Sequence, residues 1–354
     1  MNALKTLLGF LFLLVNSAYA LDAQVLGSEE YVLNQPSINQ DTKSGKVIRL
    51  LKIELSPEAK KALMHRAQDA LNHTHEFSWT PANPIDATMP ARVQVGMNNV
   101  PVLDQGIHGS CVTFSVTAAI DAFIGKKDYI SQLCNLQLGS YLEQHGEGMS
   151  GWNGSYTIDV INQIQQYGIV NMDNQKKIGC GGLKKYPTNS SRKKNSFIEP
   201  EKFSAMSELV IGKFVNWSEM THFNSQVTSV DDVKEALNSK NRVVVGVLIP
   251  RTDLGIAGAI GKHKTWITND TWVLTSEIIK GVKKAKFGHN MVITGYDDNA
   301  VAYDHHLKKH RGLFTLRNSW GTSYGNHGTF YMSYDYFKLL SYDFYQISSV
   351  GNMN

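Results

Sequence analysis

The stretch Pro101-Val-Leu-Asp-Gln-Gly-Ile-His-Gly-Ser-Cys-Val-Thr-Phe-Ser115 places a cysteine at the start of an apolar helical pattern. The apolar residues that follow recur on one helical face, and Gly125 is a C-terminal stop signal. Cys111 is therefore predicted to lie in the first turn of a helix, where unpaired backbone N–H groups and the helix dipole favour a thiolate. Gln105 offers an amide donor nearby, so the stretch fits an oxyanion-stabilised acyl transfer site. The alternative is a buried cysteine that packs as a small apolar residue.

Two later stretches supply a histidine and an asparagine next to strand patterns. Phe287-Gly-His-Asn-Met-Val-Ile-Thr-Gly-Tyr296 places His289 at the head of an apolar strand. Leu313-Phe-Thr-Leu-Arg-Asn-Ser-Trp-Gly321 places Asn318 at the end of another. In this order the motifs resemble those of the papain-like cysteine peptidases, which read QGxCGSCW, then a histidine before a strand, then NSWG. The resemblance extends, with gaps, from about Met89 to the C-terminus.

The resemblance implies an α+β, papain-like two-lobe fold, with a helical lobe, an antiparallel β-barrel-like lobe and the active site in the cleft between them. It implies that Cys111 is the nucleophile, that His289 exchanges a proton with it, and that Asn318 orients the imidazole. Gln105 and the backbone N–H of the cysteine would hold the oxyanion. The substrate would be a protein or a peptide.

The resemblance also suggests three substrate-binding residues. It continues at Trp152-Asn-Gly-Ser155, where the backbones of Asn153 and Gly154 would hydrogen-bond an extended peptide. Trp320 completes the set and would also shield the contact between the histidine and the asparagine from water. Ordinary core packing of this indole is compatible with that role.

Four positions depart from the family pattern. His108 and Trp152 stand where the family has half-cystines, Ile107 replaces a serine-like residue, and Val112 replaces an aromatic one. The histidine and the asparagine also lie further from the cysteine than the about 130–150 residues usual in the family. We therefore predict a divergent member with insertions, one of them at residues 250–287, and do not carry over the substrate preference of papain.

The sequence contains three cysteines. If Cys111 is the nucleophile, Cys134 and Cys180 remain, and two leftover cysteines in an exported protein usually pair. The resemblance favours a disulfide between them, because one family disulfide links the segment after the first helix to a loop near Cys180. Two free buried thiols are the alternative.

The composition is typical of a soluble globular protein, with 354 residues, 42% of them apolar and 19% charged, and a net charge of +4. No basic run with interleaved aromatic residues indicates nucleic-acid binding. His305, His306 and His310 lie among Asp and Lys residues, and no second ligand cluster with fixed spacing accompanies them. We interpret them as a solvated loop, so the sequence predicts neither a metal site nor a cofactor.

Residues 1–20 read as a secretory signal peptide. Lys5 supplies a positive charge, Leu7 to Val15 form an apolar core, and Ala18-Tyr-Ala20 is a cleavage site. The apolar run is too short for a membrane anchor. We therefore expect a protein that is secreted, or that enters a periplasmic or lysosome-like compartment, with no membrane contact in its mature form.

Residues 21–86 are predicted to be a propeptide-like segment that precedes a peptidase domain at residues 87–354. Tyr31-Val-Leu33 and Lys46–Glu54 are strand-like runs that could pair as a hairpin, and Ser56-Pro57 is a helix start. We expect this segment to pack on the catalytic domain and to inhibit it until it is cleaved. A permanent structural extension is the alternative.

Three functions compete for this sequence. The first is a secreted papain-like cysteine peptidase, made as a zymogen, that hydrolyses peptide bonds. The second is another acyl transfer on the same fold, by an exopeptidase, an amidase or a transpeptidase, in which the insertion before the histidine could block one end of the cleft. The third is a non-catalytic binding protein, and the retention of all four catalytic positions argues against it.

Overall fold

The computed structural model describes residues 23–33, 45–72, 89–192, 195–208, 215–220, 230–250, 259–260 and 270–350. The predicted signal peptide, residues 73–88 before the predicted peptidase domain and much of the insertion before His289 lie outside these residues. The helices are α1 (Pro57–Asn72), α2 (Cys111–Ile124), α3 (Gln132–Gln144), α4 (Thr157–Tyr167), α5 (Met172–Lys177), α6 (Pro200–Met206), α7 (Val230–Asn238), α8 (Ser276–Gly281) and α9 (Tyr334–Leu340). The strands are β1 (Ala23–Leu33), β2 (Lys46–Leu55), β3 (Arg92–Gln94), β4 (Val215–Glu219), β5 (Arg242–Ile249), β6 (Ala259–Ile260), β7 (Thr271–Trp272), β8 (Phe287–Tyr303), β9 (Lys309–Arg317), β10 (Thr329–Ser333) and β11 (Ser341–Val350). Within these ranges no helix combines the length and the apolar character needed to cross a bilayer.

The N-terminal segment forms a hairpin followed by a helix. Strands β1 and β2 pair antiparallel along their length, with an irregularity between Val25 and Ser28. Helix α1 begins after Ser56, whose hydroxyl accepts the Ala59 N–H at 3.0 Å, and Pro57 fills the first helical position. Strand β2 also pairs with β8 of the main sheet. The segment therefore shares the sheet of the second lobe and does not stand apart from it.

Helix α2 is the central helix of the first lobe. Its residues from Cys111 to Ala122 are all buried, because the sequence is apolar or small on nearly every face. Gly125 ends the helix in a left-handed conformation with φ of 70°. The neighbouring α3 carries Cys134, which is disulfide-bonded to Cys180 as predicted. This bond lies in a second buried cluster and ties α3 to the loop after α5.

The second lobe is an open sheet of mostly antiparallel strands, which confirms the α+β class. The strand order is β4-β11-β5-β8-β9-β10-β7-β6, and along it only β10 and β7 are parallel among the described strands. The described strands do not form a closed barrel. A barrel closes only when its two edge strands hydrogen-bond each other, whereas β4 and β6 lie at opposite ends of this order and no pairing between described strands joins them.

Strand β8 brings the two lobes together. Its first residues pair with β2 and β5, and its later residues pair with β3 and β9. Helix α2 of the first lobe packs against β8 and β5. Since α2 begins at Cys111 and His289 is the third residue of β8, both residues lie at the interface between the lobes.

Candidate active site

The cysteine predicted to be the nucleophile is the first residue of α2. Cys111 follows the cap residue Ser110 and is fully buried. The backbone N–H groups of Asn290 and Val112 lie close enough to the thiol to lower its pKa. Because Asn290 follows His289 in β8, the thiol lies where the start of the helix meets the strand that carries the histidine.

A direct hydrogen bond joins the predicted histidine and asparagine. Nε2 of His289 donates to Oδ1 of Asn318 at 2.8 Å, and both side chains are buried. The Ser319 N–H donates to the same oxygen at 2.6 Å, which holds the amide in one orientation. Nδ1 of His289 has no hydrogen-bond partner among the described residues. With its proton on Nε2, the ring therefore has an acceptor at Nδ1.

Trp320 covers the histidine. The two ring centroids lie 4.6 Å apart and the rings are nearly stacked, with 27° between their planes. Trp272 and Phe330 contact the indole edge to face, with centroids 6.4 and 5.7 Å away. The indole is buried and excludes water from the hydrogen bond between His289 and Asn318. In this structure Trp320 acts on the histidine, and its predicted contact with substrate stays a prediction.

Gln105 is buried with its amide held at both ends. Its Oε1 accepts the Ser319 hydroxyl at 2.7 Å, and its Nε2 donates to the His108 carbonyl at 2.8 Å. An amide Nε2 carries two hydrogens, so one remains for a further acceptor. Ser319 contacts both Gln105 and Asn318, a linking role that the sequence analysis did not assign, although the residue stands inside the NSWG motif.

Two positions that hold half-cystines in the family pattern meet here as rings. His108 and Trp152 contact edge to face, with their centroids 4.8 Å apart. Tyr186 stacks on Trp152 at 5.6 Å, and its hydroxyl donates to the Gln105 carbonyl at 2.8 Å. His108 Nε2 donates to the Pro187 carbonyl at 2.8 Å. An aromatic cluster therefore fastens the loop of Gln105 where the family pattern has a disulfide.

The predicted substrate loop is in contact with the N-terminal hairpin. The backbone N–H and the hydroxyl of Ser28 donate to Asn153 Oδ1 at 3.1 and 2.6 Å. A side chain at Gly154 would collide with Val25 and approach the Gly27 carbonyl, so β1 packs directly on this glycine. The wall of the cleft predicted to bind an extended peptide is thus covered by an extended strand of the same chain.

The hairpin also contacts the opposite wall and one end of the cleft. Strand β2 pairs with Gly288 of β8, and the Ile53 N–H donates to the Lys286 carbonyl at 2.8 Å. Lys46, at the start of β2, donates from Nζ to Asp104 at 2.6 Å and to the Trp320 carbonyl at 2.8 Å. The two strands together span the space between the lobes.

Burial controls the protonation of the cysteine and the histidine. It raises the pKa of the Cys111 thiol to about 12, although three backbone N–H contacts oppose the shift. It lowers the pKa of His289 to about 4, although the hydrogen bond to Asn318 opposes that shift. From the sequence alone, the helix N-terminus is expected to favour a thiolate. In the covered cleft the loss of water outweighs the helix, and both groups are neutral near pH 7.

A buried polar cluster near the pair was missed in the sequence. The Thr157 hydroxyl donates to Asp343 at 2.5 Å, and Asn290 Nδ2 donates to the Thr157 oxygen at 3.1 Å. Gly246 lies between Asn290 and Asp343 in the sheet. Burial raises the pKa of Asp343 to about 6. The only signal was an acidic residue inside β11, a strand that the sequence analysis did not predict.

Known proteins with a similar sequence or structure include several cysteine proteases. A family model described as papain family cysteine protease matches residues 87–341, which include Cys111, His289 and Asn318. No curated protein matches the chain. Similar solved structures include xylellain, a cysteine protease from Xylella fastidiosa, at 20% identity over 78% of this chain and 92% of that one, with a TM-score of 0.47.

Two further solved structures are similar at lower identity. A clostridial cysteine protease, solved after propeptide cleavage, is 19% identical over 72% of this chain and 56% of that one, with a TM-score of 0.49. Digestive procathepsin L 3 from the larval midgut of Tenebrio molitor is 17% identical over 78% of both chains, with a TM-score of 0.44. The family assignment rests on the matched region, which covers well over half of the sequence.

Proposed function

Because the chain belongs to the papain family of cysteine proteases, we propose that it is a peptidase that hydrolyses peptide bonds with Cys111, His289 and Asn318 and is made as a latent precursor. The observation that carries the proposal is the hydrogen bond from His289 to Asn318 beside a cysteine at a helix N-terminus. Latency is supported by the hairpin that lies across the same cleft.

The mechanism follows from the free acceptor on the histidine. In the uncovered enzyme, Nδ1 of His289 takes the proton of Cys111, giving a thiolate and an imidazolium. Asn318 Oδ1 keeps the ring oriented through Nε2–H. The thiolate attacks the peptide carbonyl, and the free Nε2–H of Gln105 with the Cys111 backbone N–H holds the oxyanion. The imidazolium protonates the leaving amine, and water then hydrolyses the acyl-enzyme.

The precursor is catalytically inactive for two reasons. The hairpin contacts Asn153 and Gly154, the residues expected to bind an extended substrate, so substrate and hairpin compete for one wall. Because β2 pairs with Gly288 next to His289, we infer that the hairpin also keeps water from Cys111 and His289, and without water the ion pair between them is unfavourable. Removal of the segment restores both the binding wall and the polar surroundings that a thiolate needs.

The chain is exported and then cleaved between its N-terminal segment and the catalytic domain. The signal-like residues 1–20 would direct the chain into an oxidising compartment, which agrees with the disulfide between Cys134 and Cys180. Strand β3 pairs with β8, so a cut that spares the catalytic sheet falls before Arg92, between Thr80 and Ala91.

The test compares a trimmed chain that starts near Met89 with its Cys111→Ala, His289→Ala and Asn318→Ala variants, on a fluorogenic peptide and on a protein substrate. We expect no turnover from Cys111→Ala, and a kcat loss of about 10²–10⁴-fold from His289→Ala, the range for a general acid–base group. Asn318→Ala should lose less, because it orients the ring and moves no proton.

The control variant is Asn299→Ala, at an exposed residue of β8 that hydrogen-bonds Arg311, and it should keep full activity. Full activity of Cys111→Ala would end the peptidase assignment. Mapping the cleaved bonds of the protein substrate separates an endopeptidase from an exopeptidase. Transfer of the acyl part of the peptide to an added amine, in place of hydrolysis, would indicate a transpeptidase.

A further inference from the structure

Two adjacent histidines and a glutamate from a different element converge on the surface of the second lobe. His305 and His306 follow β8, and Glu277 lies in the first turn of α8. His306 Nε2 is 3.0 Å from one carboxylate oxygen of Glu277, and His305 Nε2 is 3.7 Å from the other. The three ligand atoms all lie within 4.8 Å of one another. The sequence shows no further ligand cluster beside these histidines and so predicts no metal site, whereas the fold brings Glu277 to them as a third ligand.

The turn that carries the histidines is held in place by buried groups. Asp304 Oδ1 accepts the backbone N–H groups of His306 and Lys308, each at 2.9 Å. The other oxygen of Asp304 lies 3.5 Å from His310 Nε2, and His310 Nδ1 donates to Asp335 at 2.7 Å. Asp304, His310 and Asp335 are buried. The two imidazoles are therefore presented by a fixed turn, which lowers the entropy lost when a ligand immobilises them.

The glutamate is fixed from its own side as well. The Ser276 hydroxyl donates to Glu277 Oε1 at 3.1 Å, and Thr275 caps the helix by accepting the Ile278 N–H at 3.2 Å. The carboxylate is about one-third exposed and both histidines are more exposed, so an ion can reach the three side chains from solvent.

The donor set selects a class of ion. Two imidazole nitrogens and one carboxylate are ligands that zinc accepts, at about 2.0–2.2 Å each. Two ligands on one tetrahedral ion at that distance lie about 3.3 Å apart. The observed separations of 3.0 and 3.7 Å, each to a different oxygen of Glu277, bracket this value. The ligand atoms of the three residues lie within 4.8 Å of one another, so side-chain rotations bring them onto one ion. Calcium and magnesium prefer sets made of oxygen alone and fit less well.

We propose that Glu277, His305 and His306 bind one divalent transition-metal ion of the zinc class, with solvent in the remaining position. The ion ties the turn after β8 to α8, which packs against α1 of the N-terminal segment. Lys308, next to the turn, and Lys280, in the last turn of α8, place positive charge near the site. We therefore expect a dissociation constant in the micromolar range and not the nanomolar one.

The test is calorimetric titration of the full-length Cys111→Ser protein with zinc chloride, because this background removes the only free thiol that the chain would offer. Cobalt(II) absorption reports the coordination geometry of the same site. We expect one equivalent bound, and a loss of at least about 10–100-fold in affinity for Glu277→Gln, for His305→Ala and for His306→Ala, because removing a residue that only supports a ligand already costs that much. These side chains are on the surface, so the variants should fold.

The control variant is His65→Ala. His65 pairs with Asp69 on α1 at 2.9 Å, which is an exposed contact between one imidazole and one carboxylate with no second histidine in sequence beside it. Zinc affinity should not change in this variant. Failure to bind zinc at about 100 μM, or equal affinity in all four variants, would overturn the proposal. The assay has no activity readout, so its outcome is independent of the proposed peptidase function.

Discussion

Cys111 and His289 are both fully buried, and burial acts on their pKa values in opposite directions. The pKa of the thiol rises to about 12 and that of the imidazole falls to about 4, so proton transfer between them is unfavourable in the covered form. The three backbone N–H groups at the thiol belong to Asn290, Val112 and Cys111, none of which lies in the hairpin, so we expect them to stay when the hairpin is removed. They then act without the opposing loss of water, which is how a helix N-terminus lowers a cysteine pKa.

The first prediction concerns the reactivity of Cys111. The other two of the three cysteines form the disulfide, so iodoacetamide labels a single site. In the full-length protein labelling should be negligible at pH 7 and should rise only as the pH approaches 12. In the trimmed protein labelling at pH 7 should be at least about 100-fold faster, because an ordinary thiol near pKa 8.5 is already a few per cent thiolate.

Labelling rates are read by mass spectrometry over a pH series. Denatured full-length protein serves as the control, since it shows the intrinsic rate of the thiol. Equal rates in the full-length and trimmed proteins at pH 7 would contradict the burial of Cys111 by the hairpin.

At the scale of single elements, the loop that carries Gln105 depends on the ring of His108. His108→Ala removes both the contact with Trp152 and the hydrogen bond to Pro187, whereas His108→Phe keeps a ring against the indole. We expect His108→Ala to lower kcat of the trimmed enzyme about 10-fold with little change in KM, because a displaced Gln105 weakens transition-state binding of the oxyanion. His108→Phe should retain most of kcat. Equal loss in the two variants would show that the ring contact does not position the loop.

The buried cluster of His310, Asp335 and Asp304 predicts that the stability of the fold depends on pH. Burial alone would lower the pKa of His310, but the two carboxylates outweigh it and raise the pKa to about 9. This exceeds the unfolded value of about 6.5. The stabilisation is therefore complete below pH 6.5 and is lost as the pH rises through about 9.

Urea unfolding of the wild type should show a loss of roughly 2–3 kcal/mol in the free energy of unfolding between pH 6.5 and 9.5. His310→Gln should be less stable than the wild type at pH 6.5, and its free energy of unfolding should not show this loss of roughly 2–3 kcal/mol as the pH rises to 9.5. His145→Gln, which removes an imidazole from an exposed position, should keep the wild-type profile. A wild-type profile in His310→Gln would refute the assignment.

The elements that could be predicted from sequence are those whose signals are local. Helix α2 and its stop at Gly125 follow from a helical period and a capping residue, and the hairpin strands and β5 follow from short apolar, β-branched runs. Strand β8 is longer than predicted, because Asp297-Asp-Asn299 reads as a turn yet continues the ladder after a register shift. Strand β11 was missed, because Asp343 and neighbouring serines interrupt its apolar alternation.

At the scale of the whole molecule, the contacts that matter join distant parts of the chain. The motifs named Cys111, His289 and Asn318, but no local pattern reports that β2 pairs with β8 or that Lys46 reaches Asp104. The grouping of Glu277 with the two histidines could not be predicted from sequence for the same reason, since these residues come together only through the fold. The open sheet likewise depends on which strands form the edges, which periodicity cannot give.

The last prediction is that the hairpin inhibits the enzyme and that Lys46 is one of its anchors. Lys46 makes two charge-assisted contacts at one end of the cleft, with Asp104 and with the Trp320 carbonyl. Hydrogen bonds of charged groups contribute about 1.5–3 kcal/mol, so losing this anchor should raise the population of open precursor about 10-fold or more. The covalent link adds effective concentration to the remaining contacts, and cutting it removes that advantage.

Initial rates on a fluorogenic peptide should be at least about 100-fold lower for the full-length protein than for the trimmed one, since few copies of a tethered hairpin are open at any time. Lys46→Ala should raise the initial rate of the full-length protein about tenfold, because the contacts of Lys46 no longer hold the hairpin closed. Lys60→Ala, an exposed lysine of α1 in the same segment, should not. A peptide of residues 21–72 added to the trimmed enzyme should inhibit it competitively, because β1 occupies the substrate wall. A full-length protein as active as the trimmed one, together with no inhibition by the added peptide, would mean that the segment is a permanent part of the sheet and not an inhibitor.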